Sequence, residues 1–586
     1  MAPDLPLGLG GLMRYGVLAV DFDGTIADDG VVDPGVRAAR EAPRAAGIAV
    51  ILVTGRILGE LRRASPDLDF ADAVVAENGA VLAFPASGRT TRLHAAPPPE
   101  FVAELRRRGV VAHQGDCIVD IDAADAAVVL AVIRAQELPL VLAFNRSRLM
   151  VLPQAVSKAT GLGEALTALR LSSHNTLAIG DAENDHALLQ AAEVGVAVAW
   201  GSPVLARAAD LVLEGGGPAA VAGFLRTRLA ERDLPPPNGR RRVLVGTESG
   251  DTPLTLSVRD RNVLVSGDPR SGKSWVAGLL TEQLMLARYS VAVVDPEGDY
   301  RTLEALPGVR LADEDRVPGP GDLERAFRFP DSGLVIDLSH LPHARKLEGI
   351  QALLPSLARL RGQGGLPHRI VVDEAHYFLR DLAPDVFEDL SHGGYTLVTY
   401  RPADLGDAVM RQMGVVIATR HTDPREAAAL ARWTGVDPAT LTATLATLSV
   451  SEAVLLPPAD EAHRGIVRFA VAPRLTPHVR HRHKYADLPV PRGERFVFTF
   501  APGLPAAASL AGLAAMLEQL PREALDHHLR HHDFSRWLAD VFRDDALARD
   551  VRDVERAYAV QRAPDAAAAV VAAIRERYDL KGDPRR

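Results

Sequence analysis

The 586-residue chain contains one cysteine, Cys117, which excludes an intramolecular disulfide and every multi-cysteine zinc or iron-sulfur site. Lysine is almost as scarce: Lys158, Lys273, Lys346, Lys484 and Lys581 are the only five, so each is a place to ask whether the chemistry needs an ammonium group. Aromatic residues make up 5% of the chain, too few for an extended base-stacking platform. No apolar run reaches the ~18 residues of a membrane span, and the N-terminus lacks the basic start and apolar core of a secretion signal. The expectation is therefore a cytoplasmic protein with no membrane partner. Positive charge is also in deficit: 66 Lys and Arg face 75 Asp and Glu, a net charge of -9, so any contact with nucleic acid must be local.

What is present is a globular composition, 47% apolar, in a chain long enough for about four domain-sized units at roughly 150 residues each. No internal repeat is visible. Residues 14 to 80 alternate apolar strand, loop and helix, with strands expected at Gly16 to Val20, Ile48 to Val53 and Ala73 to Ala76, the pattern of a parallel sheet covered by helices. The rhythm breaks over 81–152, which reads as an inserted cap with a hairpin near Pro85 to Arg92, and resumes at Thr176 to Ile179. This places an α/β core at 1–80 and 153–230. A proline-rich stretch without apolar period, 231–242, reads as a linker. A second α/β domain is expected over 243–495 and a helical domain over 496–586, where Leu, Ala, Trp and Val recur at helical spacing.

Val20-Asp21-Phe22-Asp23-Gly24-Thr25 places two carboxylates at the C-terminal end of a strand, where open α/β sheets bind ligands. Thr54 ends the next strand in Val53-Thr54-Gly55-Arg56, and Lys158 and Gly180-Asp181-Ala182-Glu183-Asn184-Asp185 follow. This set resembles the haloacid dehalogenase superfamily of phosphohydrolases, and Glu77-Asn78-Gly79-Ala80 resembles members whose cap follows the second motif. The resemblance spans residues 14–228 and implies a Rossmann-like core with a small α+β cap. It also implies that Asp21 is the nucleophile forming an aspartyl phosphate and that Asp23 is the general acid and base. Mg²⁺ would be held by Asp21, Asp181 and the Asp23 carbonyl. Thr54 and Asn184 would hold phosphoryl oxygens, Lys158 would neutralise charge, and Asp185 would orient Lys158. Arg92, Arg146 and Arg148 are candidates for a second anionic group on a phosphorylated substrate.

After the strand Asn262 to Val265 comes Gly267-Asp268-Pro269-Arg270-Ser271-Gly272-Lys273-Ser274, the GxxxxGK[ST] phosphate loop. Backbone N–H groups of Gly267, Arg270, Ser271 and Gly272 would cradle ATP phosphates, Lys273 would reach the β- and γ-phosphates, and Ser274 would bind Mg²⁺. Arg369-Ile370-Val371-Val372-Asp373-Glu374-Ala375-His376 is an apolar strand ending in two acids, Asp373 for the magnesium shell and Glu374 to polarise water. With Val293 to Tyr300 and Leu397-Val398-Thr399-Tyr400-Arg401-Pro402, the set resembles the HerA and FtsK group of motor ATPases. That resemblance covers about 243–470 and implies a RecA-like fold, ATP hydrolysis and a homo-oligomeric ring, a hexamer first, moving DNA or protein. Two departures stand out. Tyr400 replaces the glutamine usual before Arg-Pro, and between Asp381 and Tyr400 the only potentially basic residue is His392, so no trans-acting arginine is present. Arg401, Arg411 and Arg420 are the remaining candidates.

The basic cluster Thr476 to Tyr485 could track a nucleic-acid backbone. His527, His528, His531 and His532 form two i, i+4 pairs on an expected helix, read as a polar face. Two functions compete. The leading one is a ring-forming ATPase presenting phosphatase modules in nucleic-acid processing, repair or defence. The other is a small-molecule phosphatase, for a sugar phosphate or a phosphoglycolate-like ester, with a regulatory or assembly ATPase. A polynucleotide kinase-phosphatase is disfavoured because the Asp373-Glu374 strand suits water attack.

Overall fold

The computed structural model describes residues 16–28, 30–39, 47–229, 241–249, 251–257, 261–314, 316–379, 383–456, 465–477, 490, 492–542, 544–560 and 565–578. Two compact units are present: Met1–Pro296 with Leu303–Pro477, and Glu297–Thr302 with His478–Arg586. The expected linker and the basic residues Arg480, Arg482 and Lys484 lie outside the described residues, apart from Arg241 and Arg242 at the linker's end. Among the described residues no helix is long and apolar enough to cross a membrane.

The first unit opens with an eight-stranded sheet in the spatial order Leu211–Leu213, Val194–Val198, Thr176–Gly180, Val17–Asp21, Ala49–Val53, Ala73–Ala76, Val81–Phe84, Arg89–Arg92. The first six run parallel. Their apolar runs follow from burial on both faces: Leu18, Val20 and Leu52 enter one core, while Val17, Ala19 and Ile51 enter the other. Asp21 stands opposite Val53, and Val20 opposite Ile179, so three strand ends deliver Asp21, Thr54 and Asp181 side by side.

The cap boundary expected at residue 81 is corrected. Val81–Phe84 and Arg89–Arg92 continue the core sheet antiparallel to Ala73–Ala76. Val81, Leu82 and Ala83 are all buried and need that neighbour. The cap proper is a four-stranded antiparallel sheet, Leu140–Asn145, Arg148–Pro153, Val119–Asp122 and His113–Gln114, with helices Pro99–Arg107 and Ala126–Ala135. Phe101, Leu105, Val129, Val132 and Val151 form its core.

The second sheet has eleven strands in the order Pro253–Ser257, Arg242–Thr247, Val467–Val471, Glu452–Leu456, Met413–Ala418, Asn262–Ser266, Tyr395–Thr399, Arg369–Val372, Val291–Asp295, Gly333–Asp337, Val309–Ala312. The last seven are parallel, and the first four add an antiparallel flank that the motif pattern did not show.

In the second unit, helices Leu510–Leu517, Arg522–Arg530, Asp533–Asp540, Asp545–Ala559 and Ala566–Tyr578 enclose Leu513, Phe534, Leu538, Val551 and Ile574. Its core already includes Val490, so the boundary expected at 496 moves toward the N-terminus. The histidine pairs do not share one helix: Arg522–Arg530 ends before His531, and His532 is left-handed at φ 56°. Both ring nitrogens of His528 are engaged, Nδ1 with Asp533 at 2.7 Å and Nε2 accepting from the Thr499 N–H at 2.9 Å.

Inside the first unit the two large sheets share a buried polar contact. His174 Nδ1 meets Glu193 Oε2 at 2.6 Å, Nε2 meets the Ala287 carbonyl at 2.8 Å, and its ring stacks on Tyr289 at 3.6 Å. The Tyr289 hydroxyl donates to Glu193 Oε1 at 2.7 Å, and Arg241 Nε lies 3.6 Å from Glu193. Removing one member of a buried ionic network strands the others, at about 3–5 kcal/mol. Glu193→Ala should therefore lower the urea midpoint by a corresponding amount, with Tyr289→Phe costing about 1–3 kcal/mol. An unchanged midpoint in Glu193→Ala would contradict a structural role for this contact.

Candidate active site

Lys158 is the centre of the first site. It is the first residue of the helix Lys158–Leu169, capped by Ser157, whose hydroxyl accepts from the Thr160 N–H. A cation is out of place at a helix N-terminus, where the dipole favours anions, so its position needs another reason. The reason lies in its partners: Nζ is 2.5 Å from Asp21 Oδ1 and 2.6 Å from Asp185 Oδ1, with the side chain 1% exposed. The second Asp185 oxygen accepts the backbone N–H groups of Asp181 and Ala182, each at 3.0 Å. Asp185 thus accepts three hydrogen bonds and fixes the Lys158 ammonium beside Asp21.

Burial pushes the Asp21 carboxyl well above the usual carboxylate range, against the opposing pull of Lys158, and Asp185 and Asp181 add to the rise. Burial, then Asp185, pushes Asp181 up to about 6. Burial works against the Lys158 charge, but Asp185 and Asp21 hold it above the usual lysine range. The site is short of positive charge. Carboxylate oxygens of Asp21, Asp181 and Asp185 lie within 4.8 Å of one another, and Asp181 Oδ1 is buried with no hydrogen-bond partner among the described residues. A hard divalent cation fits that donor set. Asp21, Asp181 and the Asp23 carbonyl are the oxygens that would hold Mg²⁺.

Thr54 is buried and its hydroxyl accepts the Arg56 N–H at 3.1 Å, while Asn184 Nδ2 donates to Asn78 Oδ1 at 3.2 Å. Gly24 turns the chain after the strand at φ 77°, where a Cβ would overlap the Asp181 carboxylate. Trp200 Nε1 donates to the Gly24 carbonyl at 2.8 Å and fixes that turn.

Two residues were given no firm role by the motifs. Arg56 grips Asp23 in a fork, Nε to Oδ2 at 2.7 Å and Nη2 to Oδ1 at 2.6 Å. Its place in the Thr54-Gly55-Arg56 turn was the available signal. Glu77 accepts the N–H groups of Asp116 and Cys117 at 2.9 and 2.7 Å, pinning a cap loop to the core. Of the three candidate arginines, Arg92 pairs with Asp116 and Arg148 with Asp120. Arg146 alone of the three reaches the centre, from a cap turn where it is left-handed at φ 53°, and pairs with Asp181.

The second set also assembles at strand ends. The Gly267–Ser274 loop leaves Asn262–Ser266 with Arg270 at φ 65° and Gly272 at φ 97°, and Lys273 opens the helix Lys273–Leu286. Ser271 Oγ and Thr419 Oγ1 are 2.5 Å apart, and a Cβ at Gly267 would overlap Thr419. Asp373 and Glu374 follow Arg369–Val372, two strands away in the sheet, which at ~4.8 Å per strand is about 10 Å between strand axes. Glu374 is left-handed at φ 50°, a strained setting typical of functional positions.

A sequence model of haloacid dehalogenase-like hydrolases matches residues 18–104 and 121–225. A phosphoglycolate phosphatase of Methanopyrus kandleri is 30% identical over 239 residues, 37% of this chain and 98% of that protein. The chain belongs to the haloacid dehalogenase-like hydrolases. A phosphoglycolate phosphatase of Methanothermobacter thermautotrophicus is 29% identical over 217 residues, 36% of this chain and 96% of its own. A solved haloacid dehalogenase-like hydrolase from Bacteroides thetaiotaomicron is 17% identical, with a TM-score of 0.32 over 36% of this chain and 98% of that one.

Removing the hydrolase's central cation should expose the carboxylate repulsion. Lys158→Met should destabilise the metal-free protein by about 3–5 kcal/mol at pH 8. The deficit should shrink toward pH 5, because carboxyls whose folded pKa is raised bind protons more tightly folded than unfolded. A deficit independent of pH would contradict the charge account.

Proposed function

We propose that residues 18–225 hydrolyse a small phosphomonoester through an aspartyl phosphate on Asp21. The observation that carries this reading is the Lys158 ammonium shared between Asp21 and Asp185 at 2.5 and 2.6 Å. In the first half-reaction an Asp21 oxygen attacks phosphorus, the bond to the ester oxygen breaks, and Asp23 gives its proton to the departing alkoxide. In the second, Asp23 takes a proton from water, the resulting hydroxide attacks phosphorus, and the Asp21–phosphorus bond breaks to release inorganic phosphate. Asp23 must leave the Arg56 fork to reach either oxygen. Thr54 and Asn184 hold phosphoryl oxygens, and Lys158 neutralises charge that grows as the bonds exchange. Asp21, Asp181 and the Asp23 carbonyl would hold magnesium, which would supply further positive charge beside the phosphoryl group.

The substrate class is a small ester bearing a second anionic group. The relatives carrying the name phosphoglycolate phosphatase, the compact cap and Arg146 at the cap turn support this choice. Residues 243–477 bind ATP at the Gly267–Ser274 loop, with Lys273, Ser274, Asp373 and Glu374 in the roles that the motif implies, and form a regulatory or assembly module. The nucleic-acid reading draws on Arg480, Arg482 and Lys484 and the ring reading on the resemblance of residues 243–470 to motor ATPases, and the net charge of -9 weighs against the first.

Phosphate release from phosphoglycolate, sugar phosphates, nucleotides and 3′- or 5′-phosphorylated DNA tests the assignment. Small phosphorylated acids should be the best substrates, Asp21→Asn should abolish release, and Lys273→Ala should abolish ATP binding while release persists. A preference for DNA ends, or full activity in Asp21→Asn, would contradict it.

A further inference from the structure

We propose that His376 reads the terminal phosphate of the nucleotide at the Gly267–Ser274 loop, by donating a hydrogen bond from Nε2. This rests on the ATP-binding reading above. His376 lies in the turn Ala375–Tyr377, directly after the Asp373-Glu374 pair, and is 7% exposed. Its Nδ1 is 2.9 Å from Thr399 Oγ1, at the end of the strand between the phosphate-loop strand and the acid-bearing strand. The same Thr399 oxygen accepts the Arg401 N–H at 2.9 Å. The threonine hydroxyl hydrogen is then available to Nδ1, and in that arrangement the ring proton of a neutral imidazole sits on Nε2.

Burial keeps the ring neutral, with its pKa pushed down to about 4 although Glu374 pulls the other way. Glu374 Oε2 lies 3.7 Å from Nδ1. The Tyr377 ring packs on the imidazole at 4.1 Å and the Tyr400 ring meets it edge-on at 4.6 Å. Tyr400 in turn lies 6.0 Å from the Lys273 ammonium, so the imidazole and the phosphate-loop lysine flank one ring. Nε2 has no hydrogen-bond partner among the described residues. A buried donor left unmade is costly and uncommon in a native fold, which points to a ligand that completes it. A terminal phosphate oxygen beside Lys273 is an acceptor of the required kind. Tyr400, which stands at the position where the motor ATPases usually carry glutamine, forms one wall of the histidine slot.

The test is equilibrium binding of Mg-ADP and of a Mg-bound non-hydrolysable ATP analogue to the full-length protein. Wild type should bind the analogue more tightly than ADP. His376→Ala should weaken the analogue about tenfold and leave ADP unchanged, since a hydrogen bond to a charged acceptor is worth about that ratio. His376→Gln, which keeps an N–H donor, should recover most of the difference. Thr399→Val, which frees the tautomer, should give an intermediate ratio and serves as the readout if the alanine protein does not fold. Equal weakening of both nucleotides, or of neither, would overturn the assignment. A wild-type protein that binds neither would overturn the ATP-binding reading itself, and this inference with it.

Discussion

A buried ammonium shared by two buried carboxylates is the interaction on which the first site depends. Lys158 brings a buried positive charge to a pocket that holds Asp21, Asp181 and Asp185, Arg146 pairs with Asp181 from the cap, and the backbone N–H groups of Asp181 and Ala182 add compensation through Asp185. Parallel pairing puts the strand ends of Asp21 and Asp181 next to each other, which concentrates negative charge where the sheet opens. Such a cluster is unstable without cations and useful with them, because a phosphoryl group and a divalent ion then enter a site whose charges are already fixed in place.

The second site repeats this construction. Lys273 also opens a helix and is also buried, and Asp373 and Glu374 follow a parallel strand two places along the sheet from the strand before its loop. Two of only five lysines occupy these two positions in an arginine-rich chain. The helix that begins at Lys273 spans 14 residues, about 21 Å, and the His174 ring meets the Ala287 carbonyl just past its end. That puts the Gly267–Ser274 loop and the hydrolase core at opposite ends of one element within one compact unit.

The legible part of the molecule is the part whose signal is local. Strand ends followed by Asp21-Phe22-Asp23, Thr54, Asp181 and Asp373-Glu374 could be read because the chemistry sits within a few residues of the apolar run that positions it. The cap boundary was misread because Val81–Phe84 has the same apolar character whether it starts a cap or extends the core, and only its pairing with Ala73–Ala76 decides. The buried polar contact joins Glu193 to Tyr289, 96 positions apart, and His174 to Ala287, 113 apart, and no spacing rule reaches that far. Arg56 was visible as a residue but not as the partner of Asp23, because an arginine's reach depends on a rotamer the sequence does not state.

The most direct test of the central claim is to locate the phosphoryl group on the protein. Mixing the enzyme with a ³²P-labelled small phosphomonoester, quenching in acid within the first turnover and mapping the peptides should place an acid-stable, hydroxylamine-labile label on Asp21. Steady turnover with no covalent label at any quench time, or a label on another residue, would contradict the account.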